Sequence, residues 1–331
     1  MTFQPHPLLR GPHRQTIFGA FGRHAPVVVM RPERFELSDG DFVDLLHSGP
    51  PEDDHPRAIL LHGLGGSAQS RYIRAMNAAL VAAGWAVTAF QFRGAAGPNR
   101  RARTYHSGDT GDIAEVAQAL RARAMLPSAT TARPANRHPA KLIAVGFSMG
   151  GNVVLKLLGE QGANAVFDAA VAVSVPFRLA VCSAQLATGA SRLYGLHLVS
   201  GRQRSLRAIR HLVAPLIDYE RAMAATDFRT LDSLVTAPLN GFTSADDYYA
   251  RSSSLGFIRH VQRPTLVLHA HDDPFMTPEA VPTTSDLSPS ITFELHPHGG
   301  HVGFIERGAA GLPRSFIERR VVAWLRPFLS D

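Results

Sequence analysis

The stretch that decides the fold is "LIAVGFSMGGN", residues 142–152. It opens with the apolar and β-branched residues Leu142 to Val145, which are typical of a buried strand. Apolar residues then recur at helical spacing over 152–158, which predicts a helix. Ser148 therefore lies at a strand-to-helix turn, and the glycines around it let two backbones approach closely. This G-x-S-x-G pattern predicts a nucleophile elbow, a turn that exposes a serine hydroxyl.

Length and composition indicate a folded enzyme or binding protein. The chain has 331 residues, 45% hydrophobic and 18% charged, enough for one α/β domain with an insertion. Prolines interrupt the N-terminus, which lacks the apolar run of a signal peptide, and no window reaches about 18 uninterrupted apolar residues. We therefore expect a cytoplasmic protein. The single cysteine, Cys182, excludes an internal disulfide, and we expect a buried structural thiol.

The net charge of +7 comes almost wholly from arginine, because lysine occurs only at Lys141 and Lys156. The arginines are dispersed, and no basic cluster interleaved with aromatic residues is present, so we expect no nucleic-acid partner. A basic surface leaves open a weak preference for anionic lipids or substrates. We expect at most peripheral membrane contact.

Strand-like runs alternate with helical patterns, which predicts a mainly parallel central sheet flanked by helices. The predicted strands are 58–62, 86–92, 142–147, 169–175, 265–269 and 291–295, with an antiparallel edge around 27–30 and 34–37. The predicted helices are 70–83, 109–125, 152–160 and 315–329.

Two segments interrupt this alternation. Residues 127–140 are rich in Pro, Ala and Thr and predict a surface loop. Residues 177–260 have helical periodicity without a strand pattern, which predicts a helical cap, or lid, over the carboxyl edge of the sheet, where open α/β sheets bind ligands. The predicted domains are therefore a core of 1–176 and 261–331 and a cap of 177–260.

A serine hydroxyl is a weak nucleophile at neutral pH and needs a base, usually a histidine oriented by a carboxylate. On α/β-hydrolase folds the chain order is serine, acid, histidine. The segment "RPTLVLHAHDDPF", 263–275, ends a strand-like run in Asp272 and Asp273. Many such enzymes use the pattern P-x-L-x-x-x-G-x-x-D, and counting from Pro264 favours Asp273 as the acid. Asp272 would instead cap the following turn.

The histidine should follow the next strand, where "ELHPHGGHVGF", 294–304, supplies His296, His298 and His301. Two glycines directly before His301 let this loop pass close to a neighbouring backbone, which would place the His301 ring over Ser148. His301 is therefore the predicted base.

A tetrahedral intermediate needs two backbone donors. One should be the N–H of Met149, directly after the serine. The other should lie in the glycine-rich turn "LLHGLGGS", 60–67, where we predict the N–H of Leu64.

Two alternatives remain open. The segments 269–273 and 296–301 gather five histidines and two aspartates, which could serve a metal-dependent hydrolase. However, Pro274 occupies the last place of an H-x-H-x-D-H arrangement and no H-E-x-x-H occurs, so we expect no metal and no cofactor. The other alternative is a non-catalytic binding protein, because a hydrolase fold does not by itself establish activity.

The chain resembles the YheT-like α/β hydrolases, family four of the AB hydrolase superfamily, over most of its length. The resemblance is carried by "GPHRQTIFG" (11–19), "HGLGGS" (62–67), "GFSMGGN" (146–152), the long stretch 232–273 and "GGHVGF" (299–304). It implies a serine-dependent carboxylic ester hydrolase in which Ser148, Asp273 and His301 form the charge relay. It also implies short- to medium-chain esters or monoacylglycerols as substrates. Within the long stretch we expect aromatic residues to pack between cap and core: Phe242, Tyr248, Tyr249 and Phe257.

Overall fold

The computed structural model describes residues 2–51, 55–125 and 140–329. Its centre is an eight-stranded sheet with the order β1-β2-β4-β3-β5-β6-β7-β8, and a separate pair joins β9 to β10. The strands are β1 (Arg31–Glu36), β2 (Phe42–Ser48), β3 (Arg57–Leu61), β4 (Ala86–Gln91), β5 (Leu142–Phe147), β6 (Ala169–Val173), β7 (Thr265–Ala270), β8 (Ile291–His296), β9 (Ile305–Arg307) and β10 (Pro313–Ser315).

Helices cover both faces of this sheet and fill the segment between β6 and β7. They are α1 (Pro12–Ile17), α2 (Arg71–Ala82), α3 (Gly111–Met125), α4 (Met149–Gln161), α5 (Leu179–Gln185), α6 (Ser191–Ala208), α7 (Arg210–Val213), α8 (Tyr219–Ala224), α9 (Phe228–Leu231), α10 (Ala237–Leu239), α11 (Ala245–Ser252) and α12 (Phe316–Leu325). Within the described residues, no helix is both long enough and apolar enough to cross a membrane.

The sheet is parallel from β4 through β8, whereas β2 pairs in the antiparallel sense with both of its neighbours, β1 and β4. Every residue of β3 to β7 is buried. Strands covered by helices on both faces need continuous apolar runs, which explains why these strands were readable from the sequence. All six predicted core strands are confirmed, with ends that differ by at most two residues.

The predicted edge strand at 27–30 is wrong. β1 begins at Arg31, which pairs with His47 near the end of β2. The chain turns at Gly49, with φ of 76°, so β2 offers no partner to the residues before Arg31. Val27 and Val29 are consequently exposed, at 91% and 82%. The predicted loop at 127–140 lies outside the described residues, apart from its last residue.

Residues 177–260 contain helices and no strand, as their periodicity predicts. Helices α6 to α9 share an apolar cluster of their own, separate from the clusters on the two faces of the sheet. The ends of the segment belong to the sheet instead, because Phe177 and Ile258 pack with Leu155 of α4 and Val267 of β7. This placement holds the inserted helices over the carboxyl edge of the parallel strands.

Candidate active site

Ser148 lies on a sharp turn at the carboxyl end of β5. β5 ends at Phe147 and α4 begins at Met149, so the serine is the only residue between them. Its φ of 52° and ψ of −120° are unusual for a residue with a side chain and indicate local strain. The Ser148 N–H donates to the Val173 carbonyl at 2.8 Å, and the Asn152 N–H donates to the Ser148 carbonyl at 3.0 Å. These bonds hold the strained residue in place.

The flanking glycines are required by close backbone contacts. A Cβ on Gly146 would lie 2.4 Å from the carbonyl oxygen of Gly150, and one on Gly150 would lie 2.5 Å from that of Leu61. Any side chain here would push α4 away from the sheet. The glycines therefore let α4 start directly beside β3 and β5, which fixes the orientation of the serine.

Three side chains from distant parts of the sequence meet at this edge. The His301 Nε2 lies 2.9 Å from the Ser148 Oγ, and the His301 Nδ1 lies 2.8 Å from an Asp273 carboxylate oxygen. The second Asp273 oxygen accepts the Phe275 N–H at 2.9 Å. Asp273 follows β7 and His301 follows β8, so the order of the parallel strands brings them beside Ser148. A hydroxyl, an imidazole and a carboxylate thus form one connected chain.

The neighbouring aspartate occupies a different position. Asp272 accepts the Gly300 N–H at 2.9 Å and lies 3.3 Å from the His298 Nδ1. It braces the loop that carries His301 without touching the His301 ring. Of the other two candidate histidines, His298 is exposed, and the His296 ring packs edge-on against three phenylalanines.

The loop that carries His301 is held by α1, a function that sequence reasoning did not assign. The His301 N–H donates to the Thr16 hydroxyl at 2.9 Å, and this hydroxyl donates to the Pro12 carbonyl at 2.8 Å. The buried Gln15 amide bonds both backbone groups of Ile305. The motif at 11–19 was the available signal, but nothing in it indicated which residues it contacts.

Phe275 is a second residue that sequence reasoning missed. Its ring stacks on the His301 imidazole with centroids 3.9 Å apart and planes within 10°. Since Phe275 also donates its N–H to Asp273, one residue restrains both the ring and the carboxylate. The imidazole is therefore fixed at both nitrogens and on one face.

Replacing Thr16 by valine is expected to lower kcat about five- to tenfold for the ester hydrolysis that the resemblance implies, because one hydrogen bond worth about 1 kcal/mol no longer positions the His301 backbone. Valine preserves the shape of the side chain, so the unfolding temperature should change little. Steady-state assays would measure kcat, and thermal unfolding would measure the unfolding temperature. Thr188→Val is the control, since that exposed hydroxyl donates to the Gln185 carbonyl of its own turn. Equal kcat values for the two variants would contradict the positioning function.

The glycine-rich turn after β3 lies beside Ser148, since a Cβ on Gly63 would lie 3.1 Å from the Ser148 Cβ. The Gly63 N–H donates to the Tyr72 hydroxyl at 2.9 Å, and the Gly65 N–H donates to the Tyr105 hydroxyl at 3.2 Å. Between them, within the described part of the chain, the Leu64 N–H has no protein acceptor. The Met149 N–H lies in the first turn of α4, where no intrahelical acceptor exists. Two donors are thus available near the serine.

A cavity of about 280 Å³ opens beside Ser148. Residues of α1, the turn after β3 and the inserted helices contribute to its walls. Most of the lining residues are apolar, and they include Ile17, Leu64, Leu186, Leu198, Phe228 and Phe275. Cys182 also lines it; the thiol is buried and free, as predicted, and burial raises its pKa. The cavity is large enough for a small acyl or alcohol group.

The four aromatic residues of the long stretch pack as expected, and two of them also line the cavity. Tyr248 and Tyr249 are both buried. The Tyr248 hydroxyl accepts the Ser107 N–H at 3.1 Å, which joins α11 to the core. Phe242 packs against Tyr248, and Phe257 lies against α4 at Gly159. The two tyrosines face the same cavity as Ser148.

The histidines and aspartates of the metal alternative meet as the pairs His301–Asp273 and His298–Asp272. In the described ranges, no group of three or more His, Cys, Asp or Glu side chains is placed to hold a metal ion. His269 is fully buried, and neither ring nitrogen has a hydrogen-bond partner among the residues that the structure describes. Burial lowers its pKa to about 4, so the ring is neutral near pH 7.

The parallel sheet, its flanking helices and the serine at the strand-to-helix turn define an α/β hydrolase. A family model for the α/β-hydrolase fold matches residues 56–308. YheT of Escherichia coli (strain K12), a proposed esterase, is 37% identical over 325 residues, which cover 96% of this chain and 91% of YheT. Phospholipase ABHD3 of Bos taurus is 30% identical over 302 residues, covering 88% of this chain and 70% of that protein.

Among solved structures, the esterase Pf2001 of Pyrococcus furiosus aligns with a TM-score of 0.55 and 16% identity over 92% of this chain and 91% of that one. That likeness shows the fold alone. The chain belongs to the YheT-like α/β hydrolases. The resemblance and the fold class predicted from the motifs are confirmed, and the family supports a hydrolase enzyme.

Proposed function

We propose that this protein is a serine-dependent carboxylic ester hydrolase. The observation that carries the proposal is the unbroken relay from the Ser148 Oγ through His301 to Asp273, with contacts of 2.9 and 2.8 Å. These are the distances that proton transfer between a nucleophile and its base requires. The names of the relatives, an esterase and a phospholipase, support ester bonds as the target.

In the proposed mechanism the His301 Nε2 removes the Ser148 proton as the Oγ attacks the ester carbonyl. Asp273 remains ionised, holds the proton on Nδ1 and stabilises the imidazolium. The Leu64 and Met149 N–H groups bind the oxyanion of the tetrahedral intermediate. His301 then gives its proton to the departing alcohol, which leaves an acyl group on Ser148. A water molecule activated by His301 releases the acid and restores the serine.

The proposed substrates are short- to medium-chain esters or monoacylglycerols. The largely apolar cavity of about 280 Å³ beside Ser148 supports an acyl chain of limited size. In this proposal, residues 177–260 act as a cap that shapes the cavity, and residues 1–176 and 261–331 form the catalytic core. The helices between β6 and β7 supply Leu186, Tyr194 and Tyr248 to the cavity wall, which supports that division.

A fluorophosphonate probe is expected to label the protein once, on the peptide that contains Ser148. The reason is that only a serine activated by a base attacks the phosphorus at a useful rate. Digestion and mass spectrometry would locate the adduct, and prior incubation with a p-nitrophenyl ester should slow labelling. A protein that hydrolyses no ester and resists the probe would instead fit the non-catalytic alternative. Loss of activity on removal of metal ions would favour the metal-dependent one.

A further inference from the structure

We propose that Arg202 binds an anionic group of the substrate, so that the preferred ester carries a carboxylate or a phosphate within the cavity. This inference rests on the proposed ester hydrolase function and adds a substrate class to it. Arg202 lies on α6, is only 6% exposed, and lines the cavity that contains Ser148. A charged side chain in a largely apolar cavity requires an explanation, because burying a charge without a partner of opposite charge destabilises the folded protein.

The protein satisfies only part of the hydrogen-bonding capacity of this guanidinium. The Arg202 Nη2 donates to the Thr104 hydroxyl at 3.2 Å, and Cζ lies 4.5 Å from the centre of the Tyr105 ring. A guanidinium carries five N–H donors in a planar fork. Among the described residues the guanidinium has no further protein acceptor, so most of these donors remain available at the cavity wall.

Arg202 has no carboxylate at ion-pair distance among the described residues. Two other buried arginines do have one: Arg93 lies 2.7 Å from Asp112, and Arg23 lies 3.0 Å from Glu318. At Arg93 and Arg23 a protein carboxylate therefore balances the buried charge. At Arg202, no protein carboxylate of the described residues lies where the ion-pair partner would be, and the guanidinium borders the cavity instead.

Asp232 is the acid of the cavity wall that acts on Arg202 at longer range, and its oxygens are already engaged. One accepts the Thr236 hydroxyl at 2.6 Å and the other accepts the Tyr249 hydroxyl at 2.8 Å. Burial raises the pKa of Asp232 to about 6, so its charge is lost in mildly acidic solution. His106, also on the wall, stays neutral because burial lowers its pKa to about 3. The positive charge of Arg202 is thus only partly offset.

A carboxylate or phosphate would complete this arrangement. Both present two oxygens that match the fork of a guanidinium, and such charge-assisted pairs are stronger than neutral hydrogen bonds. The rival explanation is structural: Arg202 stacks on Tyr105, whose hydroxyl accepts the Gly65 N–H beside Leu64. In that case Arg202 would support the turn after β3 and act equally on all substrates.

The test uses two ester series of equal length. One carries the variable group at the end of the acyl chain, the other at the end of the alcohol chain. Each series contains a terminal carboxylate, a terminal phosphate monoester and a neutral primary amide. We would measure kcat and KM for the wild type, Arg202→Gln, Arg202→Lys and the control Arg204→Gln, which changes an exposed arginine on the same helix.

In at least one series, we expect the wild type to favour an anionic ester over its amide by about tenfold or more in kcat/KM, mainly through KM. Arg202→Gln should remove most of that preference, Arg202→Lys should restore part of it, and Arg204→Gln should leave it intact. The carboxylate and phosphate members show which anion is preferred.

The inference would be overturned if the wild type showed no preference for anionic esters in either series. It would also be overturned if Arg202→Gln lowered kcat/KM equally for anionic and neutral esters. Hydrolysis of the neutral esters by the wild type would still support the proposed function. If no ester in either series is hydrolysed, the proposed function itself fails.

Discussion

Replacing Ser148 by alanine is expected to lower kcat for ester hydrolysis by about 10⁴- to 10⁶-fold. The hydroxyl is the only group at the turn placed 2.9 Å from the His301 Nε2, and without it no acyl-enzyme forms. The variant should still fold, because the bonds that hold this turn involve the backbone of residue 148. Hydrolysis of a p-nitrophenyl ester would give the rate, and thermal unfolding would give the stability.

A suitable control for this variant is Ser233→Ala, because Ser233 is an exposed serine of the inserted segment whose hydroxyl donates to the Arg229 carbonyl of its own helix. The control should keep wild-type activity. If Ser148→Ala folds and retains more than a few per cent of the activity, Ser148 is not the nucleophile.

Replacing Asp273 by asparagine is expected to lower kcat by about 10⁴-fold. Asparagine has the same shape but can donate its NH₂ to the His301 Nδ1. This stabilises the tautomer that carries the proton on Nε2, so the ring can no longer accept a proton from Ser148. The carboxylate that stabilises the imidazolium is also lost. Steady-state kinetics with the same p-nitrophenyl ester would measure the change.

Asp272→Asn is the matched control for the acid. Asp272 contacts the Gly300 N–H and His298 but not the His301 ring, so we expect a loss of no more than about tenfold, the effect of about one weakened hydrogen bond. A larger loss for Asp272→Asn than for Asp273→Asn would exchange the two assignments.

Sequence patterns predicted the parts of this molecule that depend on local or periodic signals. The buried parallel strands are mostly apolar, since both faces are covered, and this made them recognisable one by one. The turn at Ser148 was visible because close backbone contacts require glycine at positions 146 and 150. The order of serine, acid and histidine follows from the order of the strands, and within it the motif counted from Pro264 pointed to Asp273 and the two preceding glycines pointed to His301.

The features that the sequence did not reveal depend on pairs of residues far apart in the chain. Thr16 and His301 are 285 positions apart, and no periodic signal links them. The error at 27–30 arose because a strand also needs a partner, and β2 ends before it could provide one. Arg202 resembles the other arginines of the chain until the fold shows that its neighbours are a tyrosine ring and a cavity.

The most direct measurement of the relay is the mass of the enzyme stopped in acid within milliseconds of mixing with a p-nitrophenyl ester. We predict an increase equal to one acyl group, located on the Ser148 peptide and absent in Ser148→Ala. In Asp273→Asn the same adduct should form about 10⁴-fold more slowly. The assignment would be contradicted by an acyl group on another residue, such as Cys182. It would also be contradicted by ester hydrolysis that forms no adduct and persists in Ser148→Ala.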